Sequence, residues 1–296
     1  MKIHKKNNTN FHKQNKEPDQ KNLKQKQNQV RKKTSKSKSE QPKQVPFPPK
    51  VLKFRFYNYC KKYQNIKKVL SYALVEYWPG EKCRDNVCAL PFSTPYVNEG
   101  FFLHGLWPQN DAHKNLVCCK TDVHISKAEQ IILDDSELKS LIYQNWISVD
   151  RCGISIYQFD KHGTCSMKNF VGNNGIVNYI KTAIRLFKKY DLWKILQESD
   201  LKVVTNKLYN IDKLRNAIQK VIGNDVIFTC VEMTSIYEIK MCFDPLSVNT
   251  PNPKLIKCLD KNYNEEKRRC NTEVMFIHFP DFLLDPVTAP RSDCPY

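Results

Sequence analysis

The sequence predicts an α+β fold: a central antiparallel β-sheet with helices packed against one side, cross-linked by disulfides. Short apolar runs bounded by turn residues read as strands. Amphipathic stretches at helical spacing lie between them. Twelve cysteines, all at or after Cys60, favour a disulfide framework. Together these give α+β.

Lys68 to Tyr77 reads as a buried strand closed by the turn signal Trp78-Pro79-Gly80. A loop with Cys83 and Cys88 precedes a strand that ends at His104, and a polar loop runs from Gln109 to about Val123. Ser126 to Trp146 carries two helical stretches, one starting near Asp135, where Leu138, Leu141 and Ile142 form an apolar series. Ile176, Ile180, Ile184 and Phe187 place an amphipathic core helix over 176–190. Asp212 to Ile222 is another helix, stopped by Gly223. Strand-like runs follow at Val226–Val231, Tyr237–Phe243 and Val274–Phe279, and no internal repeat is found.

Residues 1–50 are dominated by Lys, Gln, Asn and Ser. They cannot bury enough apolar surface to offset the entropy of ordering, so disorder is expected. Sixteen of the 48 Lys and Arg residues precede Phe54, against three acids, so most of the +18 net charge belongs to this tail. Basic charge suits a polyanion, although Arg31-Lys32-Lys33 is a weak nuclear address in Lys-rich sequence. Residues 51–65 form a lead-in segment, and 66–296 form one folded domain with ample length for a core. No Cys-x-x-Cys pair occurs, so zinc is disfavoured and no metal or cofactor is expected. The cysteines point to an oxidising compartment: the secretory pathway, extracellular or lysosomal/vacuolar. The N-terminus has no apolar h-region, which implies an unusual export route or a misassigned start. No run reaches transmembrane length, so no membrane partner is expected.

The chemistry concentrates in two blocks. His104-Gly105-Leu106-Trp107-Pro108 follows the apolar run Gly100–Leu103, and Lys161-His162-Gly163-Thr164-Cys165 supplies a second histidine. RNA carries its own nucleophile, the 2′-hydroxyl. One group must take that proton while another protonates the leaving 5′-oxygen, and an imidazole can do either near neutral pH. Gln158, Lys161 and His162 fall at i, i+3 and i+4, which brings all three to one face if the block is helical. Trp107 is a candidate base-stacking platform, with packing into the core as the competing role. Asn110 and Tyr96 are weaker base-contact candidates. His113, His124 and His278 show no sign of a role.

The two blocks resemble the active-site blocks of the ribonuclease T2 family of transferase-type endoribonucleases. Supporting features follow in order: Trp78-Pro79-Gly80 before Cys83, the pair Cys118-Cys119, and late cysteines at 230, 242, 258 and 270. The resemblance covers about residues 66–283. It implies His162 as general base, His104 as general acid, Lys161 as the charge that neutralises the pentacovalent phosphate, a 2′,3′-cyclic phosphate product hydrolysed to a 3′-phosphate, and single-stranded RNA as the partner of a monomer. The chain departs from the family where Tyr157-Gln158-Phe159 replaces the usual His-Glu-Trp. Gln158 can donate to a phosphate oxygen but cannot ionise, and Tyr157 keeps a donor without the charge. A slower enzyme is expected. The alternative is a catalytically impaired relative that binds RNA or a protein partner.

The resemblance also implies disulfides Cys83–Cys88, Cys230–Cys270 and Cys242–Cys258, with Cys165 tied to Cys118 or Cys119. Cys152 is expected to take the other member of that pair, leaving Cys60 and Cys294 to pair with each other.

Overall fold

A computed structural model describes residues 60–296 apart from 61, 66, 111–114, 123, 124 and 173. The expected tail, most of the lead-in, His113 and His124 lie outside the described residues. The central sheet is built from β1 (Ser71–Tyr77), β3 (Phe102–Gln109), β5 (Ile227–Val231) and β6 (Ser235–Phe243) in the order β3-β1-β6-β5, every pair antiparallel. The short strands β2 (Leu90–Pro91) and β8 (Arg291–Ser292) pair in parallel, and β4 (Tyr209–Asn210) pairs antiparallel with β7 (Glu273–Val274).

Side chains alternate across a strand, and here the alternation separates two faces. On β1, Tyr72 and Leu74 enter the main core, while Ala73 and Val75 join a smaller cluster with Trp107, Ile227, Cys242 and Cys258. On β6, Ile239, Met241 and Phe243 enter the main core, and Glu238, Lys240 and Cys242 alternate with them. Polar chemistry therefore collects on the face opposite the large core.

Apart from α1 (Pro79–Lys82), most helices over 125–222 follow the expected apolar spacing. α2 (Ile125–Asp134) and α3 (Ser136–Asn145) flank Asp135, whose carboxylate accepts from the Leu138 N–H at 2.9 Å and caps α3. α4 (Ile154–Lys161) precedes a 3-10 turn over Gly163–Ser166. α5 (Gly175–Lys189) buries Ile176, Tyr179, Ile180, Ala183 and Ile184 against the sheet. α6 (Leu192–Glu198) was not foreseen; it buries Trp193 against Trp78, ring centroids 4.5 Å apart. α7 (Ile211–Ile222) ends at Gly223, whose φ of 77° suits glycine.

α8 (Asp260–Arg269) was also unforeseen, because its sequence is almost wholly polar. It covers the outer edge of β5: Glu266 accepts the Phe228 N–H at 2.7 Å. Its Tyr263 packs on the smaller cluster, so the helices are not confined to one side of the sheet.

Three expectations about elements need correction. The strand expected to end at His104 continues to Gln109, because β1 pairs with it as far as Ser71 opposite Gln109. Pro108 is tolerated there because β3 is an edge strand. Trp78-Pro79-Gly80 opens α1, with proline at the first helical position. The run Val274–Phe279 leaves the ladder after β7. Phe276 and Phe279 instead pack against Trp78, at 5.3 and 5.7 Å, and the Ile277 carbonyl accepts from its indole at 2.7 Å. His278 therefore sits outside a strand, paired with Asp281 at 2.9 Å.

Six disulfides frame the domain. Cys83–Cys88, Cys230–Cys270 and Cys242–Cys258 form as expected, and Cys165 takes Cys119. The other two differ from expectation: Cys60 pairs with Cys118, and Cys152 with Cys294. Lead-in residue Gln64 bridges to Cys119 and donates its backbone N–H to the Cys118 carbonyl at 2.8 Å, which brings Cys60 alongside Cys118. At the other end, β8 pairs with β2 while Ala89 N–H bonds the Val149 carbonyl, so the C-terminus is carried to Cys152.

Candidate active site

His104 occupies a break in register. Leu103 lies opposite Glu76 and Gly105 opposite Val75, so His104 is the extra residue of a β-bulge. A bulge re-aims the side chain it carries. The backbone is held by Trp146, whose indole donates to the His104 carbonyl at 3.2 Å. The imidazole, about one-fifth exposed, donates from Nδ1 to Glu238 Oε1 at 2.7 Å and meets the edge of Tyr77 at 5.8 Å.

Burial pushes the Glu238 carboxyl upward. The hydrogen bond from His104, then the charges of Lys240, His104 and Lys82, outweigh it and hold Glu238 below its ordinary value. Lys240, equally buried, stands 3.7 Å from Glu238 Oε2 and 3.9 Å from Glu265.

His162 is positioned from the other side. It caps α4, its N–H bonding the Gln158 carbonyl at 2.8 Å. Its Nδ1 lies 2.9 Å from the Leu116 carbonyl. A carbonyl only accepts, so Nδ1 carries the proton and the lone pair of the neutral ring is on Nε2, which is buried without a hydrogen-bond partner. Burial, then the adjacent Lys161 charge, push the imidazole well below 6.5, with a smaller contribution from His104 and only partial opposition from the Leu116 carbonyl.

The segment 115–119 clamps this arrangement. Leu116 N–H bonds the Pro108 carbonyl on β3, Cys118 N–H bonds the Lys161 carbonyl, and Cys119–Cys165 locks the turn after His162.

Trp107 lies between the two imidazoles, edge-on to His104 at 5.0 Å and stacked on His162 at 4.9 Å with an interplanar angle of 22°. Its indole donates to Gln158 Oε1 at 2.9 Å, and Lys240 stands 5.8 Å from its ring. At 7% exposed, the ring offers little open face to a base. Gly105 is required by this packing, since a Cβ there would come within 2.6 Å of the indole nitrogen and 3.1 Å of Gln158 Oε1.

Within the block at 158–162, Gln158 and His162 both touch Trp107, while Lys161 and His162, but not the buried Gln158, line a cleft. Tyr157 is partly buried, its ring 5.8 Å from Lys161 Nζ. The cleft, of ≈ 1010 Å³, is lined by Trp107, Lys161 and His162 together with Lys261, Lys267 and Arg268 of α8. Asn110 is buried just beyond β3, its carbonyl accepting from Lys261 at 3.0 Å, and is not among the residues lining the cleft. Tyr96 lines a different cleft with Glu76 and Trp193.

Sequence reasoning missed Glu238, Lys240 and the α8 cations. The available signal was the charged, alternating half of a strand otherwise made of Ile, Met and Phe.

Fold and site define a disulfide-framed α+β protein organised around two imidazoles and a lysine. Residues 69–258 match the Ribonuclease T2 family, and the chain belongs to that family. Ribonuclease S-6 of Nicotiana alata is 27% identical over 195 residues, spanning 62% of this chain and 82% of that protein. Extracellular ribonuclease LE of Solanum lycopersicum is 28% identical over 180 residues, 57% of this chain and 74% of the relative. The crystal structure of RNase NT in complex with 5′-AMP shares the fold, with a TM-score of 0.56 at 23% identity over 71% of this chain and 99% of that one. The chain is accordingly an endoribonuclease of the T2 family.

Proposed function

We propose that the protein cleaves single-stranded RNA by transphosphorylation, with His162 as base and His104 as acid. The observation that carries this reading is the opposite setting of the two imidazoles on either side of Trp107. His162 is kept neutral with its lone pair on Nε2, while His104 is bonded to an ionised carboxylate. Such divergent environments are how one site holds an acid and a base together.

In this scheme His162 Nε2 takes the 2′-hydroxyl proton. The 2′-oxygen attacks phosphorus, the P–O5′ bond breaks, and the 5′-oxygen receives the proton of His104 Nε2. The product is a 2′,3′-cyclic phosphate, and water then enters by the reverse proton route to give a 3′-phosphate. Lys161, lining the cleft, neutralises charge gathering on the phosphate. Side chains supply both proton transfers, so no cofactor is assigned.

Trp107 orients the histidines rather than stacking a base. Gln158 holds Trp107 and, unlike a carboxyl, has no proton to exchange. The activity is accordingly reduced. The same substitution, together with the burial of His162 Nε2, favours a second reading, an RNA-binding relative with impaired catalysis. Six disulfides support maturation in the secretory pathway, and we propose a monomer. RNA incubated with the protein and EDTA separates the readings: cleavage abolished by His104→Ala/His162→Ala supports the enzyme, and binding without cleavage overturns it.

A further inference from the structure

We infer that Glu238 is a positioning residue for the reaction: its carboxylate, anchored by Lys240, fixes His104 with the proton on Nδ1 so that Nε2 is the atom that delivers a proton to the leaving group. This inference rests on the assignment of His104 as acid.

β1 lies between β3 and β6, so His104 and Glu238 are on strands that do not touch. Glu238 stands opposite Tyr77 on β1, and the bulge places His104 beside the same end of β1. Without the bulge, the residue at 104 would alternate in step with its neighbours; with it, the imidazole crosses above β1 to reach Oε1 at 2.7 Å.

Glu238 is 6% exposed, and a carboxylate at that depth is costly unless paired and hydrogen-bonded. It has both kinds of partner. Oε1 accepts from His104, and Oε2 faces Lys240, which is itself 5% exposed and also faces Glu265. A carboxylate held ionised can only accept, so the atom facing it, His104 Nδ1, must be the protonated one. A proton fixed on Nδ1 leaves Nε2 as the atom that carries the second proton when the ring acts as acid. The groups that face the pair are Lys240 and Tyr237 from the same strand, Tyr77 from β1, Trp107 from β3, His162 at the end of α4, and Lys82, itself paired with Asp150 at 2.9 Å. Glu238 is the one carboxylate in contact with His104 among the described residues. The site thus draws a carboxylate from β6 while α4 presents the amide Gln158.

The test uses Glu238→Gln, which keeps size and an acceptor but removes charge, beside Glu238→Ala and Glu238→Asp. In Glu238→Gln, kcat/KM falls on the order of 10²-fold with KM little changed. Glu238→Asp restores part of the lost rate. Independently of any activity, the nuclear magnetic resonance spectrum of ¹⁵N-histidine-labelled wild type shows a strongly deshielded proton on His104 Nδ1 that is lost in Glu238→Ala.

A wild-type His104 with no proton on Nδ1 overturns the inference, whether or not RNA is cleaved. So does a Glu238→Gln enzyme whose loss of rate merely tracks lost thermal stability and is not restored in part by Glu238→Asp. If the Nδ1 proton is present but His104→Ala leaves cleavage intact, the positioning stands and the assignment of His104 as acid fails.

Discussion

Gln158→Glu is the substitution to which the site responds most informatively. Gln158 is 1% exposed, and its Oε1 accepts the Trp107 indole N–H at 2.9 Å. Glutamate has the same shape and keeps that acceptor, so Trp107 and the two imidazoles stay where they are. What changes is charge and the ability to exchange a proton. A positioned acid–base group contributes about 10²-fold, equivalent to about 2.7 kcal/mol of barrier, and this sets the expected gain in the single-turnover rate.

The gain comes with a loss of stability, because a buried amide becomes a buried carboxylate. Lys161, in the next turn, offsets part of this. A net cost of about 1–3 kcal/mol at pH 7 is expected, a fall in Tm of about 2–4 °C for each kcal/mol in a domain of this size. It shrinks as pH falls from 7 and is gone by about pH 4.3, the value of an unfolded glutamate, below which the new carboxyl is protonated in both states. Single-turnover cleavage of an oligoribonucleotide, with thermal unfolding at pH 4 and 7, reads both effects. A slow wild type with a variant no faster would refute the account of the 158 position.

Three further outcomes are expected. Because the folded pKa of His162 is depressed, the acid limb of kcat/KM lies below pH 6.5; and because the unfolded chain binds that proton more readily, stability is lost as pH falls below 6.5, a slope that His162→Ala removes in thermal unfolding. Glu76 carries the opposite sign. Burial, reinforced by Asp191, raises its carboxyl well above 4.5, so its contribution to stability is full in acid and lost as pH rises past 4.5, by up to about 1.4 kcal/mol per unit; Glu76→Gln should flatten that decline. Cys119→Ser/Cys165→Ser removes a crosslink with a sequence separation of 46, which lowers the denaturant-derived stability by about 4 kcal/mol and reduces kcat more than KM, since the clamp on His162 is loosened.

Much of this protein was legible in its residues, and the parts that were not share a physical cause. Helices with a single apolar stripe were visible from spacing alone, as α5 shows. α8 was hidden because it is held by Glu266 on the edge of β5 and by Tyr263, not by an apolar face. His104, Lys161 and His162 were found because local blocks carry them. Glu238 lies 134 positions from His104 and joins it only through a β-bulge and a strand order that no local pattern encodes. The same holds for Cys152–Cys294, which depends on the parallel pairing of β2 with β8. Trp107 was ambiguous in sequence between base platform and packing residue; its place between two imidazoles favours packing.

Two histidines on either side of Trp107 are expected to cleave RNA through side-chain proton transfer. Single-stranded RNA is incubated with purified protein and EDTA across pH 4 to 8, with His104→Ala/His162→Ala as the control. Products ending in 2′,3′-cyclic phosphate are expected from the wild type and not from the double variant. Equal cleavage by both proteins, or no cleavage by the wild type at any pH, would contradict it.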